Sequence, residues 1–558
     1  GQPWLKDTVS DQELVTYRRY GVTSDATHCS RLGAQVISEH NGNAMDAAVT
    51  TVLCVGVTNF HSNGIGGGSF LMHYNSTTKA VTAYNYREVA PRQATPNMFD
   101  NLPNSQIRKI AIAVPGEVAG LHRAHSRHGR LRWSDLVKRV ADLLRSGVEV
   151  TKPLVQAIPS VNSVKESALY KAVRNPATGA FYAAGETFTD EKLARTFDTI
   201  ANDPMSFYNG QLADDIVKEI SEAGGKVTKE DLRQYNVAEP DPISVELDES
   251  GLRLYSMPPP SGGAVLGFIL NVLDGYRMGP TVKDKLDSYA TFHHRMIEAI
   301  KFGYAKKSYL GDDGTENMAV LVANLTSKLL AAETRSKIFD NATQDVEYYG
   351  PSYKQFTDSG TTHVSLVDSE GNAVVVTSSI NNYFGSLNKG SKTGILRVYN
   401  NQMEDFSWRN KRDKNNNPIP TSAANYIKPG KRPMSSAAPV FITEQSSDQL
   451  RYIGGAAGGS LITSALTSVL ARLIYLKQNV KEATDAFRLH HELSPNDIQY
   501  WNKSNSEAEK TVLEELKKRG HSVTSTTSKS VVEIMQRLPD GSWQTSGDYR
   551  KAAETAGN

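Results

Sequence analysis

Asp358-Ser359-Gly360-Thr361-Thr362-His363-Val364-Ser365-Leu366-Val367-Asp368 is the stretch on which the reading of this chain turns. Turn formers precede Thr361, and Gly360 can take backbone angles closed to other residues. After Val364-Ser365-Leu366-Val367 come the polar residues Ser369-Glu370-Gly371-Asn372 and then Ala373-Val374-Val375-Val376-Thr377. Two β-branched runs across a short polar segment containing Gly predict a hairpin. A hydroxyl residue therefore opens a strand directly after a glycine peptide. An N-terminal nucleophile needs that arrangement. Its hydroxyl attacks the carbonyl of the preceding residue, the peptide becomes an ester, and hydrolysis frees a Thr amine. Nucleophile and general base then share one residue. Taken alone, Gly-Thr-Thr reads as a threonine-rich entrance to a strand.

Composition sets the bounds. Of 558 residues, 39% are apolar and 22% charged, a globular balance with room for a large core. Length alone suggests several domains, although an intertwined α/β sandwich holds this many residues as one unit. The 62 basic and 60 acidic side chains leave a net charge of +2, which gives no bulk field for nucleic acid or anionic membranes. The basic run at 409–414 reads as a solvated loop. Two cysteines, Cys29 and Cys54, exclude a disulfide scaffold and a Cys-based zinc cluster. One bridge between them is open, and their spacing does not prove it. Sequons at Asn75, Asn324, Asn341 and Asn502 fit a glycosylated extracellular protein. No apolar run reaches the ~18–20 residues of a membrane span. The chain opens on Gly1 without signal-like residues, which predicts a mature or trimmed form.

Residues 11 to about 57 alternate at helical spacing, most clearly after Asn43, a candidate N-cap. Residues 69–74 and 80–86 predict paired strands, the second delivering Arg87. Residues 112–235 are mostly helical, 243–247 and 252–257 are short strands, and helices follow at about 263–273, 286–309 and 317–334. The polar stretch 341–359 predicts a flexible linker. Beyond Thr361 strands come first, then helices at 460–476, 480–487 and 506–518. Strands at 530–537 and 542–546 close the chain. Strands enclosed by helices on both sides predict a layered α/β sandwich. Gly64-Ile65-Gly66-Gly67-Gly68 lacks the surroundings of a nucleotide loop and predicts tight backbone packing. His61 and His363 read as satisfied structural histidines, and His293-His294 and His490-His491 fit no metal motif.

Further motifs follow Thr361-Thr362-His363 in order. They are Thr377-Ser378-Ser379-Ile380-Asn381 with Phe384-Gly385, Asn400-Asn401-Gln402-Met403-Glu404-Asp405-Phe406, Lys431-Arg432-Pro433-Met434-Ser435-Ser436 and Gly454-Gly455-Ala456-Ala457-Gly458-Gly459-Ser460. Together they closely resemble the small subunit of the γ-glutamyltransferase (glutathione hydrolase) family. Asn59-Phe60-His61-Ser62-Asn63-Gly64-Ile65-Gly66-Gly67-Gly68 and Tyr86-Arg87-Glu88-Val89-Ala90-Pro91 resemble its large subunit.

The resemblance implies an α+β fold, a four-layer αββα sandwich of the N-terminal nucleophile hydrolase type. It implies cleavage between Gly360 and Thr361 into a large subunit, 1–360, and a small subunit, 361–558, that stay intertwined as a heterodimer of the chain's own fragments. It favours a Cys29–Cys54 disulfide and a secreted or cell-surface location, the N-terminal anchor or signal having been removed. No metal or organic cofactor is implied.

Site roles follow from the resemblance position by position. Thr361 is the nucleophile. Ser379, expected just after the second strand and usually Thr in the family, keeps the orienting hydroxyl. Gly458 and Gly459 present backbone N–H donors to an oxyanion. A γ-glutamyl substrate carries an α-carboxylate and an α-ammonium. Arg87 offers a planar fork to the first, with Ser435 and Ser436 hydroxyls beside it. Asp405 offers the counter-charge to the second, with Asn381 and Gln402 as neutral acceptors. The implied reaction forms a γ-glutamyl ester on Thr361 from glutathione or its conjugates, then transfers the acyl group to water, an amino acid or a dipeptide. A related N-terminal nucleophile acylase would not need the ammonium-binding Asp405 and Gln402. An inactive secreted paralogue acting by binding predicts loss of Thr361 or Arg87, and both are present. The Asn- and Lys-rich loop 407–428 stands as a partial cover for the pocket.

Overall fold

Two antiparallel sheets lie face to face in the computed structural model, which describes residues 1–558 apart from 313, 353–359, 389, 396–398, 414, 420 and 552–553 and the side chains of 316 and 554. One has six strands in the order Glu554–Gly557, Gly21–Ser24, Gly360–Val367, Ala373–Asn381, Gly68–Tyr74 and Val81–Tyr86. The other has seven, in the order Val15–Tyr17, Trp543–Thr545, Val531–Arg537, Leu450–Ala457, Val440–Glu444, Leu252–Ser256 and Ile243–Leu247.

Alternation along the strands sorts the apolar side chains into layers. Val364, Leu366, Val374 and Val376 pack with helices Thr27–Ser38, Ala44–Thr58, Trp133–Ser146 and Glu191–Asn202. From the opposite face, Val367, Val375, Phe70 and Met72 meet Phe441, Ile453, Met535 and Trp543 of the second sheet. Ile442, Tyr452, Val532 and Ile534 pack on the far side with Gly263–Asp274, Leu286–Lys307 and Leu461–Ile474. The result is helices, sheet, sheet, helices: an α+β, αββα sandwich. Ala44–Thr58 is buried along its whole length, as a helix apolar on every side must be. Asn43 and Asp46 close a reciprocal capping box at its start. Cys29 and Cys54 are bonded, with S–S 2.07 Å, and tie this helix to Thr27–Ser38. Among the described residues, no helix is long and apolar enough to cross a membrane.

The hairpin forms as the sequence predicts. Asp368 fixes its turn by accepting from the Glu370 and Asn372 amides at 2.9 and 3.0 Å. Its second strand runs on to Asn381, so Ser379 lies inside the strand, opposite Thr361. Three other expectations are corrected. Helical spacing from residue 11 fails before Thr27, because Val15–Tyr17 and Gly21–Ser24 are strands. Their partners, Trp543–Thr545 and Thr23's neighbour Ser365, lie hundreds of residues away, where local periodicity carries no signal. A further strand, Glu554–Gly557, follows those expected to end the chain. Residues 341–352 are not a free linker: the Thr343 amide donates to Arg519 O at 2.9 Å and buried Tyr349 donates to Glu298 at 2.5 Å. Residues 353–359 lie outside the described residues.

His363 is structural, as expected. It sits between the sheets, hydrogen-bonded to Thr377 and Ser365 at 2.8 Å each, and burial pushes its pKa down to about 3. His61 is buried by packing against Tyr383 and Phe384, but neither ring nitrogen has a hydrogen-bond partner among the described residues. It is structural without being satisfied. Across from His363, a Cβ on Gly455 would stand 2.2 Å from the imidazole Nδ1. Gly455→Val should therefore lower the melting temperature, at an overpacking cost of about 1–3 kcal/mol. An unchanged melting temperature would show that the inter-sheet space is not filled by this ring.

Candidate active site

Thr361 and Ser379 face each other across the hairpin on the side turned towards the second sheet. Thr361 Oγ1 donates to Ser379 Oγ at 3.3 Å, and Ser379 Oγ donates to the Gly360 carbonyl at 3.0 Å. Just beyond, the register shifts and Asn381 takes φ +76°, a left-handed conformation that Asn tolerates better than most residues. Its amide donates to Ser379 Oγ at 3.0 Å, so this hydroxyl is held by three groups. Gly360 is glycine for lack of space: a Cβ would lie 2.4 Å from Asn382 O. The glycine run packs as predicted, since a Cβ on Gly67 would meet Ser379 O at 2.4 Å.

Two cavities share Asp405 and Lys411 in their walls. A pocket of about 370 Å³ is lined by Asp405, Ser435, Ser436, Gly459, Lys307 and Asn425 among others. A wide cleft of about 2330 Å³, partly open to solvent, is lined by Thr361, Asn381, Asp405, Gly458, Trp408 and several cations. Asp405 borders both, and Gly458 and Gly459 divide between them. These glycines, at φ +127° and +60°, make the turn from the Leu450–Ala457 strand into helix Leu461–Ile474. Side chains rarely adopt such angles, and a Cβ on Gly458 would lie 2.9 Å from Ser530 Cα.

Arg87 reaches this point from the end of Val81–Tyr86 and is buried. Its Nη2 donates to Asp405 Oδ2 at 2.7 Å and to Met434 O at 2.8 Å, and its Nε donates to Pro433 O at 2.7 Å. The expected carboxylate clamp and the expected ammonium counter-charge are thus in direct contact. Gln402 Nε2 donates to the same Asp405 oxygen at 2.6 Å. Gln402 Oε1 and Asn381 Oδ1 are buried with no donor among the described residues, as suits neutral acceptors. Ser435 Oγ accepts from the Ala437 amide at 3.0 Å, and Ser436 Oγ from Lys307 Nζ.

The sequence reading missed four participants. Lys307 orients Ser436 from the last turn of its helix. Lys551 and Asp25 form a buried pair under Thr361. Lys411 is no solvated cation: it is buried, donates to Glu404 O and Phe406 O at 2.6 and 2.8 Å, and lies 4.3 Å from the Trp408 ring centre. Burial pushes its pKa down and that of nearby Glu404 up, with Lys411 and Arg108 opposing the latter shift. None carries a local motif. The loop 407–428 does border the cleft, through Trp408, Lys411, Arg412, Asp413 and Asn415. Among the described residues, two groups bring three metal-ligating side chains together. In His28-Cys29-Cys54 both cysteines are in the disulfide, and in His294-Glu298-His521 the two imidazoles hydrogen-bond each other at 2.8 Å.

A threonine opening a strand of an αββα sandwich, its hydroxyl and upstream carbonyl joined through one side chain, defines an N-terminal nucleophile hydrolase. Within that class the chain belongs to the gamma-glutamyltranspeptidase family, whose model matches residues 29–558. Scoloptoxin SSD14 of Scolopendra dehaani is 37% identical over 548 residues, 97% of this chain and 93% of that protein. Glutathione hydrolase 2 of Arabidopsis thaliana is 36% identical over 541 residues, covering 95% and 91%. Among solved structures, a cephalosporin acylase from Bacillus halodurans superposes with TM-score 0.81 over 99% of this chain and 98% of its own at 24% identity, a likeness of fold. The Helicobacter pylori gamma-glutamyltranspeptidase gives TM-score 0.52 over 58% of this chain and 93% of its own, at 29% identity.

Asp405→Ala would leave the buried Arg87 guanidinium unpaired, at a cost of about 3 kcal/mol. The double variant Arg87→Met/Asp405→Ala should melt higher than the sum of the two single losses predicts. Strict additivity in melting experiments would mean the two side chains do not share one interaction.

Proposed function

We propose that this chain is an autoprocessed γ-glutamyltransferase with Thr361 as its nucleophile. The head-to-tail hydrogen bonds Thr361 Oγ1 to Ser379 Oγ to Gly360 O are the observation that carries it. As the Thr361 oxygen approaches the Gly360 carbon, the carbonyl oxygen gains charge and Ser379 is already donating to it. The peptide becomes an ester, and water releases residues 1–360 from a new Thr361 amine. The two fragments share both sheets, which accounts for their staying together as a heterodimer.

In turnover the Thr361 amine takes the Oγ1 proton while the oxygen attacks the γ-carbonyl of glutathione or another γ-glutamyl compound. The substrate's α-ammonium lies against Asp405, Gln402 Oε1 and Asn381 Oδ1. Its α-carboxylate meets Arg87 and the Ser435 and Ser436 hydroxyls. The developing oxyanion faces the Gly458 and Gly459 N–H groups, a contact of the kind whose loss costs ~2.7–4 kcal/mol. The amine returns its proton to the departing amine. Water, an amino acid or a dipeptide entering by the wide cleft then resolves the ester. Arg87 and Asp405 together favour this reading over a side-chain acylase, which has no ammonium to bind. The disulfide and the exposed sequons at Asn324, Asn341 and Asn502 support an extracellular, glycosylated protein, whereas Asn75 is half-buried and uses its side chain to hold the Thr77 and Thr78 amides.

A denaturing gel with N-terminal sequencing tests the reading. The purified protein should show a fragment beginning at Thr361 and release the anilide from a γ-glutamyl anilide, while Thr361→Ala should stay whole and inactive. A wild-type chain that remains whole and inert over days would overturn it.

A further inference from the structure

Lys551 has no part in the roles assigned above, yet it is buried beneath the nucleophile. Its Nζ donates to Asp25 Oδ2 at 2.5 Å and to the Thr361 carbonyl oxygen at 3.4 Å. Asp25 also accepts from the Thr362 hydroxyl, so one carboxylate is anchored both to the lysine and to the residue after the nucleophile. Asp25 follows the strand Gly21–Ser24, Lys551 comes from the C-terminal segment, and Glu533 faces them from the other sheet. Burial and then Asp25 push the Glu533 carboxyl well above its ordinary range, with Lys551 opposing the shift. Burial alone would lower the Lys551 pKa, but Asp25, Tyr383 and Glu533 outweigh it and hold the ammonium above its usual value. The other groups that feel this charge are His61, which burial keeps neutral, and Lys529 across the cleft. Lys551 lines the same cleft as Thr361. A buried ammonium is costly even when paired, and a neutral donor would hold a carbonyl equally well, so its charge calls for a use.

We propose that Lys551 is a positioning residue: it pins Thr361 through the carbonyl and, once the Gly360–Thr361 peptide is cut, its charge keeps the new Thr361 amine unprotonated. The inference rests on the nucleophile reading above. Three bonds separate the nitrogen of Thr361 from its carbonyl oxygen, which places the new amine within about 7 Å of Nζ. A like charge at that range disfavours the ammonium form and lowers the amine pKa. More of the enzyme then holds the neutral amine that accepts the Oγ1 proton, and activity extends to lower pH.

The test compares full-length wild type, Lys551→Met, Lys551→Arg and Asp25→Asn by the pH profile of kcat/KM on a γ-glutamyl anilide, with the cut fraction read on a gel. Removing the charge should move the acidic limb up by about one pH unit. Arg, which keeps the charge, should leave it with wild type, and Asp25→Asn, which removes the compensating charge, should move it down. A merely structural lysine would change amounts of active enzyme and leave the limb in place. An unmoved limb in cut Lys551→Met overturns the proposal. If that variant does not fold or cut, Asp25→Asn decides, and an unmoved limb there overturns it equally. A wild type that neither cuts nor hydrolyses defeats the nucleophile reading instead.

Discussion

An unbroken antiparallel register runs from Ala373 against Val367 to Ser379 against Thr361, and the site depends on it. Side chains alternate between faces, so a slip of one residue would turn Thr361 and Ser379 away from the second sheet and towards the helices. The same slip would drive Val364, Leu366, Val374 and Val376 out of the helix-facing core. Apolar burial thus locks the register, and the register places the hydroxyls. Asp368 secures the other end, accepting from the hairpin turn and from the Ala44 amide at the start of the fully buried helix Ala44–Thr58.

Around that hairpin the fold holds charges that water would otherwise solvate. Arg87 with Asp405, Lys551 with Asp25, and Lys411 beside Glu404 all lie within or against the cleft. Buried pairs contribute little net stability, so their concentration beside one threonine points to use in binding and proton transfer. The first two pairs join segments far apart in the chain, so closing the sandwich and assembling the site are the same event.

Glycines set how closely the layers approach. Gly455 gives its space to the His363 ring, Gly67 to the Ser379 carbonyl, and Gly360 to Asn382. Gly458 and Gly459 act differently, because their positive φ angles aim consecutive amides where a side-chain-bearing residue would be strained.

The sequence by itself determined the hairpin, the position of Thr361 at its start, the capped Ala44–Thr58 helix and most of the helical layers, because alternation, helical periodicity and capping are local signals. Its ordered motifs also named Arg87, Asn381, Gln402, Asp405, Ser435, Ser436, Gly458 and Gly459 as candidates. Only the tertiary structure decided that Arg87 and Asp405 touch, that Ser379 bridges Thr361 to the Gly360 carbonyl, and that Lys307, Lys411 and Lys551 belong to the site. The edge strands at the two ends of the chain were equally hidden. A lysine in a helix or near a terminus has the same local appearance whether it meets water or a carboxylate. For Lys551 that partner is Asp25, 526 residues away and brought beside it only by the fold.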